Sequence, residues 1–170
     1  MKKLLTNGTV MTRDAACPMI EHGAVLFEDA VITAAGPAAA PAPAPPDAQR
    51  IDAKGGIILP GFINTHQHIY SAFARGLTIP GNCPTDFPGV LEGTWWNIDR
   101  HLTRQMTRMS AYMTLIESIR SGVTTVFDHH ASFCEIEGSL DEIAEAATTL
   151  GVRACLCYEI SDRDGPEKAR

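Results

Sequence analysis

The sequence has no cluster of basic residues. Its 170 residues carry 14 Lys and Arg against 20 Asp and Glu, for a formal net charge of −6. Nucleic-acid phosphates call for concentrated Lys and Arg, so this balance argues against a nucleic-acid ligand. No apolar run approaches the ~18 residues of a membrane span. Met1-Lys2-Lys3-Leu4-Leu5 is followed at once by Thr6, Asn7 and Gly8, which leaves no apolar region for a secretory signal. There is no C-x-x-C pair, and the five cysteines (Cys17, Cys83, Cys134, Cys155 and Cys157) are odd in number. They read as reduced thiols, which points to the cytoplasm. Two metal signatures are also missing, H-E-x-x-H and the combination of H-x-E with P-C-x-x-C. What remains is an ordinary globular composition, 45% hydrophobic and 20% charged, in a chain long enough to bury a core.

The texture of the chain changes near residue 56. Before it the pattern is β. Leu4 to Thr12 predicts a strand with a turn or bulge at Asn7-Gly8. Ala24 to Phe27 and Ala30 to Ala34 predict a hairpin turning at or near Glu28-Asp29. Residues 36–47 are rich in Pro and Ala and read as a surface loop, and Ile51 to Lys54 gives a short return strand. After residue 56, strands and helices alternate. Gly56 to Asn64 is an apolar run broken by Pro60-Gly61. Thr103 to Ser121 predicts a helix, with Met106, Met109, Met113 and Ile116 as its packed stripe and Gly122 at its end. Val123 to Asp128 reads as a buried strand. Ser139 to Leu150 predicts a second helix, with a Ser139/Glu142 capping box, an apolar face of Leu140, Ile143, Ala144 and Ala147, and Gly151 as its stop. Val152 to Tyr158 is the third strand, with Cys155 and Cys157 expected in the core. Such alternation implies parallel strands joined by right-handed crossovers. About sixty residues separate the first two of these strands, far more than a usual connection, and long connections of this kind carry binding residues.

The chemistry concentrates in Leu59-Pro60-Gly61-Phe62-Ile63-Asn64-Thr65-His66-Gln67-His68. Side chains two apart on a strand share a side, so His66 and His68 aim two imidazoles at one point. Neutral imidazole is a good ligand for zinc or ferrous iron. Six histidines in 170 residues also produce such a pair by chance, and on spacing alone two solvated loop histidines remain an alternative.

That segment resembles the "PG-(F/L)-(I/V)-(N/D)-x-H-x-H" signature of the amidohydrolase superfamily. Further stretches, including 69–76, 95–99, 127–132, 138–141 and 157–165, resemble the SsnA group of aminohydrolases, relatives of chlorohydrolases and of guanine, cytosine and S-adenosylhomocysteine deaminases. The resemblance implies an α/β fold: a small β-sandwich module over 1–56, then the first part of a metal-dependent-hydrolase (β/α)8 TIM barrel over 57–170. About three βα units of that barrel are present, against ~250 residues for a typical whole one. The expectation is therefore a truncated chain that is inactive alone, because the family takes its further metal ligands from later strands.

The resemblance also implies one divalent metal ion, zinc or iron, held by His66 and His68. Water activated by the metal attacks an electron-poor ring carbon bearing an amino group, and ammonia leaves. The partner is then a small-molecule substrate, with neither nucleic acid nor membrane involved and with homo-oligomeric assembly among full-length relatives. Arg75 fits either an anionic substrate group or the surface. His130 is favoured over His129 as a substrate contact, because Val126, Asp128 and His130 share a face taken as the barrel interior. Trp95 and Trp96 fit either a pocket wall or core packing. Dehalogenation is an alternative within the hydrolases, and a non-catalytic, partner-binding remnant is the alternative outside them.

Overall fold

A computed structural model describes residues 1–38 and 45–169. Residues 39–44 of the Pro/Ala-rich tract lie outside the described residues, and the tract's first residues, Gly36 and Pro37, finish a strand rather than open a loop. The chain forms two compact units, Met1–Pro60 and Gly61–Arg170.

The first unit is a sheet of five strands: β1 (Lys2–Met11), β2 (Met19–Glu28), β3 (Val31–Pro37), β4 (Gln49–Asp52) and β5 (Ile57–Ile58). The order is β3-β2-β1-β4, with β5 also on β1. The register of β1 against β2 shifts on both sides of Gly8, and Asn7 takes φ 57°, as a polar residue at a bulge can. Asp29, at φ 52°, turns the β2–β3 hairpin. Val10, Val25 and Ile58 make its buried cluster. Ile57–Ile58 pairs with β1, so the apolar run 56–64 is shared between two sheets and not one strand.

The second unit holds three parallel strands, β6 (Phe62–Gln67), β7 (Val123–His130) and β8 (Arg153–Tyr158), in that order. Gly61 lets β6 approach β7. A Cβ there would sit 2.2 Å from the Thr124 Cγ2, well inside van der Waals contact. Two helices, α1 (Arg104–Arg120) and α2 (Ser139–Leu150), cover one face of the sheet. Ile69, Ala111, Leu115, Val126, Ile143, Ala146 and Ala147 form the core between them. The β6–α1 connection adds a 3-10 segment (Ile69–Ala74) and an irregular helical stretch over 87–101. Tyr70, Ile98, Leu102, Ala131 and Phe133 make a second buried cluster at the carboxyl ends of the strands.

Several expectations fail, each for a physical reason. β7 is buried on one face only: Val126, Asp128 and His130 lie under the helices, while Phe127 is 42% exposed. Cys155 and Cys157 sit on the uncovered face and are exposed. Of the Met stripe of α1, Met106 packs against the second cluster, but Met109 at 57%, Met113 at 51% and Ile116 are exposed, because Thr107, Ala111, Leu115 and Ser118 form the side that meets the core. The Ser139/Glu142 box does not form. Gly138, at φ 79°, is the N-cap of α2. The Ser139 hydroxyl donates to the Ile136 carbonyl instead, and the Glu142 carboxylate accepts from Arg104 at 2.8 Å. Ala144 is exposed and Ala146 takes the core position expected of it.

Candidate metal centre

β6 is out of step with β7 near its end. Asn64 pairs with Val126 and Gln67 with Asp128, so β6 spends one extra residue there, as a bulge does. Asn64 and Gln67 hydrogen-bond to each other at 3.2 Å and line a groove with Thr114 and Ser118 of α1. His66 and His68 converge: their Nε2 atoms are 3.2 Å apart, and their rings stand nearly perpendicular at 83°.

The tautomer of His68 follows from its second nitrogen. Nδ1 lies 2.9 Å from the His129 carbonyl oxygen, which can only accept, so Nδ1 carries the proton and Nε2 presents a lone pair. This is the arrangement ligating histidines adopt, with the far nitrogen donating to a backbone carbonyl or carboxylate. The spacing also fits. Two Zn–N bonds of ~2.0–2.1 Å at a tetrahedral angle place their nitrogens about 3.3 Å apart. The residues present thus suit a divalent ion as a two-imidazole edge. No group of three His, Cys, Asp or Glu side chains among the described residues is arranged to hold a metal.

Asp128 holds the chain immediately beyond the pair. Its buried carboxylate accepts from the Ile69 N–H at 2.6 Å. Burial pushes its pKa up to about 6, against the opposing effects of that N–H and of His68. The sequence placed this residue on a face with Val126 and His130 but gave it no part in holding the backbone. The signal for that part is an acid directly after the apolar-rich run Val123–Phe127, a position that needs a local donor.

His130 does not face the open side of the sheet. Its ring is 0% exposed, and neither ring nitrogen has a hydrogen-bond partner. Tyr70 and Tyr158 meet it edge-on at 5.7 Å each. Burial, with some help from His129, pushes its pKa down to about 4, so it is a neutral imidazole in the core. The shared face of Val126, Asp128 and His130 is real, but it is the helix side. His129 points the other way, with its ring 5.4 Å from that of His68.

Arg75 is exposed and shares a groove of about 510 Å³ with His68, Asn64 and Gln67. Trp96 is half-buried, with the Arg163 guanidinium 5.0 Å from its ring centroid. Asp99 and Arg163, which sequence reasoning left without a role, form an ion pair. Among the described residues no helix is long and apolar enough to cross a membrane.

Residues 57–170 match the family model described as "Amidohydrolase family". The chain is 35% identical over 120 residues to 5-methylthioadenosine/S-adenosylhomocysteine deaminase of Thermococcus onnurineus, covering 69% of this chain and 25% of that protein. It is 33% identical over 127 residues to 8-oxoguanine deaminase of Pseudomonas aeruginosa, covering 72% and 28%. Among solved structures, a variant of the atrazine chlorohydrolase TrzN from Arthrobacter aurescens TC1, crystallised with zinc and atraton, superposes with a TM-score of 0.75 at 30% identity, covering 91% of this chain and 35% of that one. The chain therefore spans roughly a quarter to a third of the length of these relatives.

Proposed function

The chain belongs to the amidohydrolase family, and from that premise we propose that it supplies the two-imidazole part of a divalent-metal centre in a hydrolase acting on carbon–nitrogen bonds of amino-substituted N-heterocycles. The observation that carries this reading is the convergence of His66 and His68, Nε2 to Nε2 at 3.2 Å. The zinc in the TrzN structure and the imidazole donor set support zinc, with iron as the other ion these ligands suit. A bound divalent ion supplies Lewis acidity and a nucleophile at neutral pH.

The chain's own residues orient that centre. The His129 carbonyl fixes the tautomer of His68, and Asp128 pins the backbone at Ile69, so the second imidazole is held at its ring and at the residue that follows it. Arg75, on the rim of the groove that also contains His68, is positioned to meet an anionic substituent. Trp96 offers the substrate at most one ring face, since Arg163 covers the other. His129, not His130, is the histidine of β7 within reach of a ligand at the pair. Deamination is favoured by the names of the two relatives above. The likeness to a chlorohydrolase supports dehalogenation as a second reading, in which the same centre expels halide instead of ammonia.

Catalytic zinc sites use three protein ligands and an open position, and the described residues bring two together. We therefore assign these 170 residues a share of the centre and not the whole of it. The same count favours a further alternative, a non-catalytic chain.

The test is zinc titration with elemental analysis, and ammonia release from aminopurines and aminopyrimidines, in a full-length relative carrying this segment, as the parent and with the histidines at the positions of His66 and His68 each replaced by alanine. Loss of metal and of turnover in both variants is expected. Stoichiometric metal and unchanged rates in both would refute the assignment.

A further inference from the structure

Three connections at the carboxyl ends of the strands meet at one guanidinium. Arg163, in the segment after β8, donates to the Asp99 carboxylate at 2.5 Å and to Glu159 at 3.0 Å. Its guanidinium carbon lies 5.0 Å from the Trp96 ring centroid and 4.5 Å from that of Phe133. Trp96 and Asp99 belong to the β6–α1 connection, and Phe133 to the β7–α2 connection. Asp99 is 1% exposed, and a buried ion pair of this kind holds only with close geometry, because removing either partner strands a charge. Phe133 shares its buried cluster with Tyr70, and Trp95, the neighbour of Trp96, meets the Tyr70 ring edge-on at 6.2 Å.

Tyr70 in turn stands edge-on to His68, with ring centroids 6.1 Å apart and planes at 72°. The hydrogen bond from Nδ1 to the His129 carbonyl fixes one nitrogen of the ring. The His66 and His129 rings stand edge-on to it at 4.9 Å and 5.4 Å, and Tyr70 completes this edge-on packing from the side of the Arg163 cluster.

Resting on the reading of His66 and His68 as metal ligands, we propose that Arg163 is a positioning residue for the pair: paired with Asp99 and stacked between Trp96 and Phe133, it holds Tyr70 against His68 and sets the angle at which that imidazole meets His66. The loop after the third strand thereby reaches the metal centre through the second layer of residues, without touching the ion. Removing a direct outer partner of a ligating histidine typically weakens metal binding by about 10–100-fold. Arg163 acts one residue further out, and the expected loss is smaller, roughly three- to tenfold on the same scale.

The experiment compares the protein with Arg163→Ala, Arg163→Lys and Tyr70→Leu, using histidine ring NMR on metal-free samples, zinc titration and thermal unfolding. Arg163→Ala and Tyr70→Leu are expected to shift the His68 ring resonances and to weaken zinc binding, with Arg163→Lys recovering part of the loss. A lowered Tm with His68 resonances and zinc affinity as in the parent would overturn the proposal and leave Arg163 a purely structural clamp. If Arg163→Ala does not fold, Arg163→Lys and Tyr70→Leu decide by the same criterion. His66→Ala and His68→Ala in the same titration separate the two ideas. Unchanged zinc affinity there refutes the metal reading, while the His68 resonances still decide whether Arg163 orients the ring.

Discussion

Asp128 and His130 lie two residues apart on the helix side of β7, and burial drives their pKa values in opposite directions. Burial raises Asp128 from 3.8 to about 6. Its native state binds a proton that the unfolded chain does not hold between those values. Its contribution to stability therefore grows as pH falls from 6 towards 4 and is lost as pH rises. Burial lowers His130 from 6.5 to about 4. Here the unfolded chain binds the extra proton, so stability falls as pH drops through the same window. At ~1.4 kcal/mol per pH unit each swing is about 3 kcal/mol, and the two nearly cancel. Single neutral substitutions separate them. In Asp128→Asn the amide oxygen still accepts from Ile69, and the acid-labile behaviour of His130 stands alone: stability drops by about 2–3 kcal/mol from pH 7 to pH 4 relative to the parent. In His130→Phe a ring still fills the space between Tyr70 and Tyr158, and stability rises by a similar amount over the same range. The assay is urea unfolding in chelator from pH 4 to pH 7, with each variant's curve subtracted from the parent's so that all other titrations drop out. Identical pH slopes in the parent and both variants would refute the burial argument.

Two further substitutions probe the fold itself. Gly61→Ala drives a methyl into Thr124 and is expected to cost about 1–3 kcal/mol, as overpacking does. Thr124→Ala in the same chain should restore most of that in chemical unfolding, and no rescue would mean the close β6–β7 approach is not what the glycine serves. Leu115→Ala on α1, at 0% exposure, is expected to cost about 2–5 kcal/mol. Met113→Glu, at 51% exposure, should change stability by no more than about 0.5 kcal/mol, and equal losses at the two positions would put the buried face of α1 in the wrong place.

The strand–helix alternation was legible because it rests on periodicity. The hairpin at Asp29, the strand at Val123 and both main helices stand close to where apolar spacing and turn residues put them. What the sequence did not show is which apolar stripe of α1 meets the sheet. Met106, Met109, Met113 and Ile116 form the more hydrophobic stripe by residue type, yet only Met106 of them packs, and Thr107, Ala111, Leu115 and Ser118 are the side that meets the core. Small residues let a helix lie close to a sheet, and closeness, set by the partner surface, decided the contact. A helix can carry two eligible stripes, and hydrophobicity alone does not rank them. Gly138 displaced Ser139 as a cap for a related reason: a left-handed residue at the turn let the serine hydroxyl serve a nearer carbonyl.

The candidate site divides along the same line. Spacing was enough to bring His66 and His68 together, since any extended backbone puts alternate side chains on one side. It was not enough to choose between His129 and His130. Parity separates the two onto opposite faces of β7 without saying which face the helices cover. The apolar residues of the strand do not settle that choice, because both faces carry them: Val126 on one, Phe127 on the other. What settles it is the pairing of β7 with its neighbours and the landing of α1 and α2 on the Val126 side. The acid and the imidazole on that side, Asp128 and His130, are then forced into the core with few partners. His129 is left where its carbonyl and ring both reach His68. A polar residue's role on such a strand is thus inherited from the packing of the apolar residue two positions away.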